Sequence, residues 1–244
     1  KALIVDCLYA PDDRKTPSEK IAKGLLEDVC FTTDNHNKGM IITTFSSHIA
    51  RLKTITEVGK KLNRNVVFLG RSLNKYVSAA SNIGQAPFRK DIQLVTYRKQ
   101  MEKALKRIDK NKKNHLIVCT GHQGEPGSIL DRMSRSQLPL SLSTEDHIIF
   151  SSKTIPTPIN EANRADLEKR LKRKRVRIFD KIHVSGHGGR EDLRDLINLT
   201  KPEHVIPSHG DLAKLQAGAK LAQEMGYTLN KTVHLVSNGS TLKL

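Results

Sequence analysis

Ten histidines are spread over the 244 residues, and two of them stand where an imidazole could do chemistry. His187 follows the apolar run that ends at Val184, inside Ser185-Gly186-His187-Gly188-Gly189-Arg190. His209 follows Ile206, inside Pro207-Ser208-His209-Gly210-Asp211. Each lies at the end of a buried strand among small, permissive residues. A neutral imidazole held there can ligate a metal, or shuttle a proton when a carboxylate orients it. His36, His115, His147, His183, His204 and His234 have no such setting and read as edge or core histidines making one hydrogen bond.

Other turns carry a second kind of chemistry. The first apolar run ends in an acidic side chain, Asp6. Phe45-Ser46-Ser47-His48 follows Thr44, Gly70-Arg71-Ser72 follows Leu69, and Thr120-Gly121-His122-Gln123-Gly124-Glu125-Pro126-Gly127-Ser128 follows Cys119. Glycine beside Ser or Thr lets backbone N–H groups approach an anion, and a following helix adds its positive end. The segment from Gly121 to Ser128 is not a P-loop, because it lacks the closing Lys-Ser/Thr pair. Any one of these turns reads equally as an ordinary βα connection. Together, on one sheet edge, they predict a phosphate-lined groove.

The elements that must position these residues alternate. Strands are expected at 2–6, 40–44, 66–69, near 94, and at 115–120, 147–150, 176–184, 204–206 and 233–236, with 241–244 as a further candidate. Helices are expected at 18–29, 47–62, 75–82, 98–109, 129–134, from about 160, and at 190–199 and 211–225. The helix at 47–62 repeats Ile49, Leu52, Ile55 and Val58 on one face, and that at 211–225 repeats Leu212, Leu215, Ala219 and Ala222. Such alternation implies a parallel or mixed sheet covered by helices, with ligands beyond the carboxyl ends of the strands.

Composition narrows the partners. Lys plus Arg number 42 against 25 Asp plus Glu, a formal net charge of +17. A polyanion is the natural partner, and nucleic acid the commonest one. Two runs concentrate the charge, eight basic residues against two acids in both 98–113 and 164–177. No apolar stretch approaches the roughly 20 residues of a bilayer span, and no export signal precedes the first strand. Cys7, Cys30 and Cys119 have no metal or redox spacing and read as buried thiols of a reducing, cytoplasmic protein. Because Lys1 runs straight into a strand, further polypeptide is expected before it.

The pair Val184-Ser185-Gly186-His187 and, with its histidine 22 residues after His187, Ile206-Pro207-Ser208-His209-Gly210-Asp211 resembles the last two motifs of the β-CASP metallo-β-lactamase nucleases. Asp6 matches their acidic first β-CASP motif, with Thr16 to Glu19 in place after it. Thr120 to Pro126 and Ile149-Phe150-Ser151-Ser152 resemble the ribonuclease J family within that group. The resemblance covers essentially the whole chain. It implies an α/β protein in which a β-CASP domain, a parallel sheet flanked by helices, occupies 15–180. Residues 1–14 and 181–244 would then form part of a metallo-β-lactamase αββα domain.

The implied activity is metal-dependent RNA hydrolysis, 5′-to-3′ and exonucleolytic, with endonucleolytic cleavage in some members. The implied partners are 5′-monophosphorylated single strands of RNA and a second copy in a homodimer. By position, His209 would be a ligand to one of two divalent ions, zinc or manganese. His187 would contact the scissile phosphate or protonate the leaving oxygen, and Asp6 would hold its imidazole. The phosphate-binding set would be Ser47, His48, Arg71, Ser72, Gly121, His122, Gln123, Gly124, Glu125, Ser185, Gly186, Gly188 and Gly189. The sequence departs from the family in three places. It contains no His-x-His-x-Asp-His motif, it has Gly188-Gly189 where Ala-Ser is frequent, and it has His122 where Ser is frequent. One histidine cannot hold two metals, so this polypeptide alone is expected to be an inactive part of a nuclease. The rival reading is an RNA-binding fragment without catalysis.

Overall fold

The computed structural model describes residues 1–244. They form two compact units, one made of Lys1–Ser18 with Val184–Leu244, the other of Glu19–His183. In chain order the elements are β1 (Ala2–Asp6), α1 (Glu19–Thr32), β2 (Met40–Thr43), α2 (Ile49–Lys61), β3 (Asn65–Leu69) and α3 (Arg71–Asn82). There follow β4 (Ile92–Val95), α4 (Arg98–Asp109), β5 (His115–Cys119), α5 (Ile129–Ser134) and β6 (His147–Phe150). The chain closes with α6 (Pro158–Arg173), β7 (Arg177–Phe179), α7 (Arg190–Thr200), β8 (His204–Ser208) and α8 (Leu212–Glu224). None of these helices is long and apolar enough to cross a membrane.

The larger unit is a six-stranded sheet in the order β4-β3-β5-β2-β6-β7, with every pair parallel. Its central strands are apolar on both faces, as a sheet covered on both sides requires. Met40 and Ile42 face one core with Leu26, Leu52, Phe68 and Leu73, under α1, α2 and α3. Ile41 faces the other, with Leu105, Ile108, Leu130, Leu167 and Leu171 from α4, α5 and α6. Right-handed crossovers account for this segregation, since connections that move in opposite directions along the sheet must cover opposite faces. The chain leaves β2 toward one face, and leaves its neighbours β5 and β6 toward the other. Their carboxyl ends are thus a switch point, the place where doubly wound sheets bind ligands.

The smaller unit pairs β1 with β8 in parallel, Ala2 opposite His204 and Asp6 opposite Ser208. Val5, Cys7 and Val205 pack there with Leu193 and Ile197 of α7 and Ala219, Leu221 and Ala222 of α8. Cys7, Cys30 and Cys119 are free and fully buried. Burial pushes their thiols up to about 11, 12 and 12 respectively.

Two expected strands are corrected. The stretch 176–184 is a strand only over Arg177–Phe179. Lys181 adopts a left-handed φ of 62°, and the Ile182 carbonyl is taken by side chains, Arg51 Nη1 at 3.2 Å and Ser151 Oγ at 3.0 Å. At the carboxyl end only Val233 bridges to Val205, with His234 N–H bonding Val205 O at 3.0 Å, and 241–244 has no regular structure.

Arg51 of α2 holds the larger unit at its entry and exit. Its guanidinium is fully buried and donates to both carboxylate oxygens of Glu19, to Ser151 O and Oγ at 2.8 Å, and to Ile182 O. Removing one partner of a buried ion pair costs about 3–5 kcal/mol, because the remaining polar groups lose their bonds inside the protein. Arg51→Ala is therefore expected to lower the urea-unfolding free energy by about that amount. A loss below about 1 kcal/mol, the range of a surface pair, would show that the network is not what holds these segments.

Candidate active site

Parallel pairing sends the chain out of β1 and β8 at the same edge, which is why Asp6 and His209 become neighbours. Asp6 ends β1, and its Oδ1 accepts the Leu8 N–H at 2.8 Å. Its other oxygen is hydrogen-bonded to Nδ1 of His187, a residue 181 positions away. His209 leaves β8 in the left-handed region (φ 57°), a sharp turn into α8, whose amino end is capped by Asp211 through the Lys214 N–H at 3.1 Å. The His187 and His209 rings stack, with centroids 5.2 Å apart and planes 7° apart. One donor atom from each of Asp6, His187 and His209 lies within 4.8 Å of the others.

The backbone around His187 is fixed on both sides. Its N–H donates to Ser185 Oγ at 3.0 Å, and its carbonyl accepts the Thr16 hydroxyl at 2.8 Å. The Asp192 carboxylate receives both the Thr16 and Gly189 N–H groups, at 2.7 and 2.9 Å. These backbone bonds, the Thr16 one foremost, hold it below the usual carboxylate range. A Cβ at Gly189 would overlap the Arg14 carbonyl oxygen, so this chain requires glycine where a hydroxyl residue is frequent in the family it resembles. For Asp6, burial works to raise the carboxyl pKa. The His187 and Leu8 bonds and the two nearby imidazoles outweigh it and hold it low.

Two imidazoles and a carboxylate suit a borderline-soft divalent ion such as zinc. The fit is to one side of a metal centre: three donors, two of them already bonded to each other, cannot complete two metal sites.

In the smaller unit the structure brings together Asp6, His187, His209, Ser185, Gly186, Gly188 and Gly189. The remaining candidates belong to the larger unit, at the carboxyl ends of β2, β3 and β5. His48 caps α2, its Nδ1 accepting the Arg51 N–H at 3.2 Å while its Nε2 faces Glu19 at 3.5 Å. Burial outweighs that carboxylate and lowers the His48 pKa. Ser47 precedes it in the same turn, and Arg71 and Ser72 open α3 as exposed first-turn residues.

In the turn from Gly121 to Glu125 the side chains are packed inward, which leaves any phosphate contact there to the backbone. His122 and Gln123 are 5% exposed. His122 packs edge-on against Phe45, and neither of its ring nitrogens has a partner. The Gln123 amide is spent on Lys153 O and the Ile155 N–H, and Glu125 accepts the Gln123 N–H. Gly124, at φ 76°, lies so close to Asn163 of α6 that a Cβ would overlap its carbonyl oxygen. The physical reason is packing: the turn is wedged between the sheet edge and α6.

Sequence reasoning missed Arg164 and His183. Arg164 is buried, lies 3.3 Å over the Phe150 ring, donates to the His122 carbonyl at 2.9 Å and pairs with Glu168 at 2.8 Å. Its place on the Leu167 and Leu171 face of α6 was the available signal. Among the histidines read as ordinary, His115 does make one bond, to Asn111 O at 2.9 Å, and His204 and His234 bond each other at 3.0 Å. His183 leaves Nδ1 unpartnered.

With the geometry described, comparison with known proteins identifies its class. Residues 37–166 match the family model "Ribonuclease J, beta-CASP domain", and 173–236 match "Zn-dependent metallo-hydrolase RNA specificity domain". The chain belongs to the ribonuclease J family. It is 46% identical over 229 residues to Ribonuclease J of Methanocaldococcus jannaschii, covering 93% of this chain and 51% of that protein. It is 40% identical to Ribonuclease J of Pyrococcus abyssi, covering 100% and 54%, and 28% identical to Ribonuclease J2 of Bacillus subtilis, covering 99% and 42%. The chain thus spans about half the length of the curated relatives it matches.

Burial, reinforced by the charges of Arg164 for one and Arg51 for the other, brings His122 and His183 down to about 4 from 6.5. A folded-state pKa below the unfolded value means that their contribution to stability is complete above about pH 6.5 and is lost as pH falls toward 4. The melting temperature is expected to drop across that window, and His122→Asn to make the drop shallower. An identical pH profile in the variant would show that His122 is not buried in its neutral form.

Proposed function

We propose that this chain is part of a metal-dependent ribonuclease of the ribonuclease J type, which hydrolyses single-stranded RNA in the 5′-to-3′ direction, with endonucleolytic cleavage as a second mode. The observation that carries the reading is the Asp6–His187 pair stacked against His209, within a chain of this family. Asp6 occupies Nδ1 of His187 and leaves Nε2 to meet a phosphate oxygen or deliver a proton to the leaving oxygen. His209 offers its imidazole to a divalent ion, zinc or manganese, one of two in the whole protein. When bound, such an ion polarises the scissile phosphate and stabilises the charge that develops on it. The Ser185–Gly189 loop, held by Thr16 and Asp192, positions His187 for this. A preference for a 5′-monophosphate, a homodimer and a cytoplasmic location complete the proposal, supported by the family match and, for the last, by three buried reduced cysteines.

In the intact protein, His209→Ala is expected to lower bound divalent metal, measured by elemental analysis, and RNA turnover by at least the roughly 10–100-fold that losing a group which only orients a ligand costs. Asp6→Asn is expected to lower turnover more than it lowers metal content, because the Asp6 carboxylate is bonded to His187 and His209 is the donor left free of that pair. Unchanged metal in His209→Ala overturns the ligand assignment. RNA binding that persists without any metal-dependent cleavage favours the rival, a non-catalytic RNA binder.

A further inference from the structure

The outer face of α4 carries Lys99, Lys103 and Lys106, and Lys110 continues it at the carboxyl cap, all exposed. At 100° per residue the spacings of four, three and four place them in one stripe, about one turn of 5.4 Å apart. The opposite face of the helix buries Met101, Ala104, Leu105 and Ile108, so the stripe points directly away from the core. Of the neighbouring acids, Glu102 pairs with Arg98 at 2.9 Å, while Asp109 accepts the Ser141 N–H at 2.8 Å and keeps its charge; it lines the same groove as Lys106, Lys110 and Lys174, which outnumber it and leave the lining net positive. No ion pair holds any of the four lysines, whereas elsewhere Lys23, Lys61 and Lys112 each meet a carboxylate at 2.6 Å. Lys106 and Lys110 edge a groove of about 460 Å³, whose far rim is Lys174 at the end of α6 and whose floor includes Leu138, Pro139 and Leu140. Lys174 is tethered there by Ser136 Oγ at 2.8 Å, a neutral partner that leaves its charge uncancelled.

Uncancelled cations at one-turn intervals beside a groove form an electrostatic track for a polyanion. The groove contains no aromatic ring on which bases could stack, so what it offers is contact with the backbone, without sequence preference. We propose that the α4 lysine stripe and its groove are an RNA-backbone contact surface that grips single strands through their phosphates. The proposal rests on the ribonuclease reading for the identity of the polyanion.

The test is a salt series of equilibrium binding by the intact protein to a hydrolysis-resistant phosphorothioate uridine oligomer. Three lysines, Lys103, Lys106 and Lys110, are changed together to Gln, a good helix former, and the fold is checked by circular dichroism. Each lost phosphate contact removes roughly 0.7 from the slope of log affinity against log salt, so the triple variant is expected to be shallower by about two. A matched control, Lys20, Lys53 and Lys75 changed to Gln on the helices of the opposite sheet face, is expected to leave the slope nearly native. A native slope in the α4 variant, or an equal loss in both variants, overturns the proposal and leaves the ribonuclease reading standing. A native protein that does not bind the oligomer at all overturns both.

Discussion

A guanidinium cannot sit in a protein interior unless its donors are met, and in the larger unit that requirement organises the architecture. Arg51 reaches the carboxylate that opens α1, the carbonyl and hydroxyl just beyond β6, and a carbonyl after β7. The farthest of these groups lies 131 residues from Arg51 in sequence. Hydrophobic burial alone would allow the edges of the unit to slide, since apolar contacts are non-directional. A planar fork with fixed donor directions does not. The same residue explains why the strand after α6 stops early: the Ile182 carbonyl, which could have extended a ladder, is committed to Arg51 and Ser151.

The smaller unit solves a different problem, which is to aim a histidine. Parallel pairing of β1 with β8 brings two chain exits to one edge, and the Ser185–Gly189 loop then delivers the third group from outside the sheet. That loop has no apolar side chain to anchor it. It is held instead by backbone bonds to Thr16 and Asp192 and by a glycine pressed against Arg14. Ser185 Oγ accepts the His187 N–H, so this residue of the expected phosphate-binding set also shapes the loop.

Much of this was legible before any coordinates. Helices 98–109 and 129–134 and strand 147–150 fall where their periodicity and flanking turns place them, because their burial pattern is complete within each element. Asp6, His187 and His209 stand out by residue type and position. Their mutual contact is a tertiary fact that no local pattern contains, and only the family resemblance anticipated it. The inward turn of His122 and Gln123 was not legible, because a glycine-rich turn looks the same whether solvent or a helix lies beside it. Arg164 was hidden for the converse reason: it belongs to a run of basic residues that otherwise face water, and only its register with Leu167 and Leu171 distinguishes it.

The three cysteines lead to something practical. Each is sealed in a core, and none is a thiolate at neutral pH. Alkylating reagents react with thiolates, so these three sites are expected to stay unlabelled by maleimides and iodoacetamides while the chain is folded. A cysteine introduced at an exposed position of this chain would take up a fluorophore or spin label in preference to Cys7, Cys30 and Cys119. Distances and motions could then be followed in the protein with its native cysteines left in place.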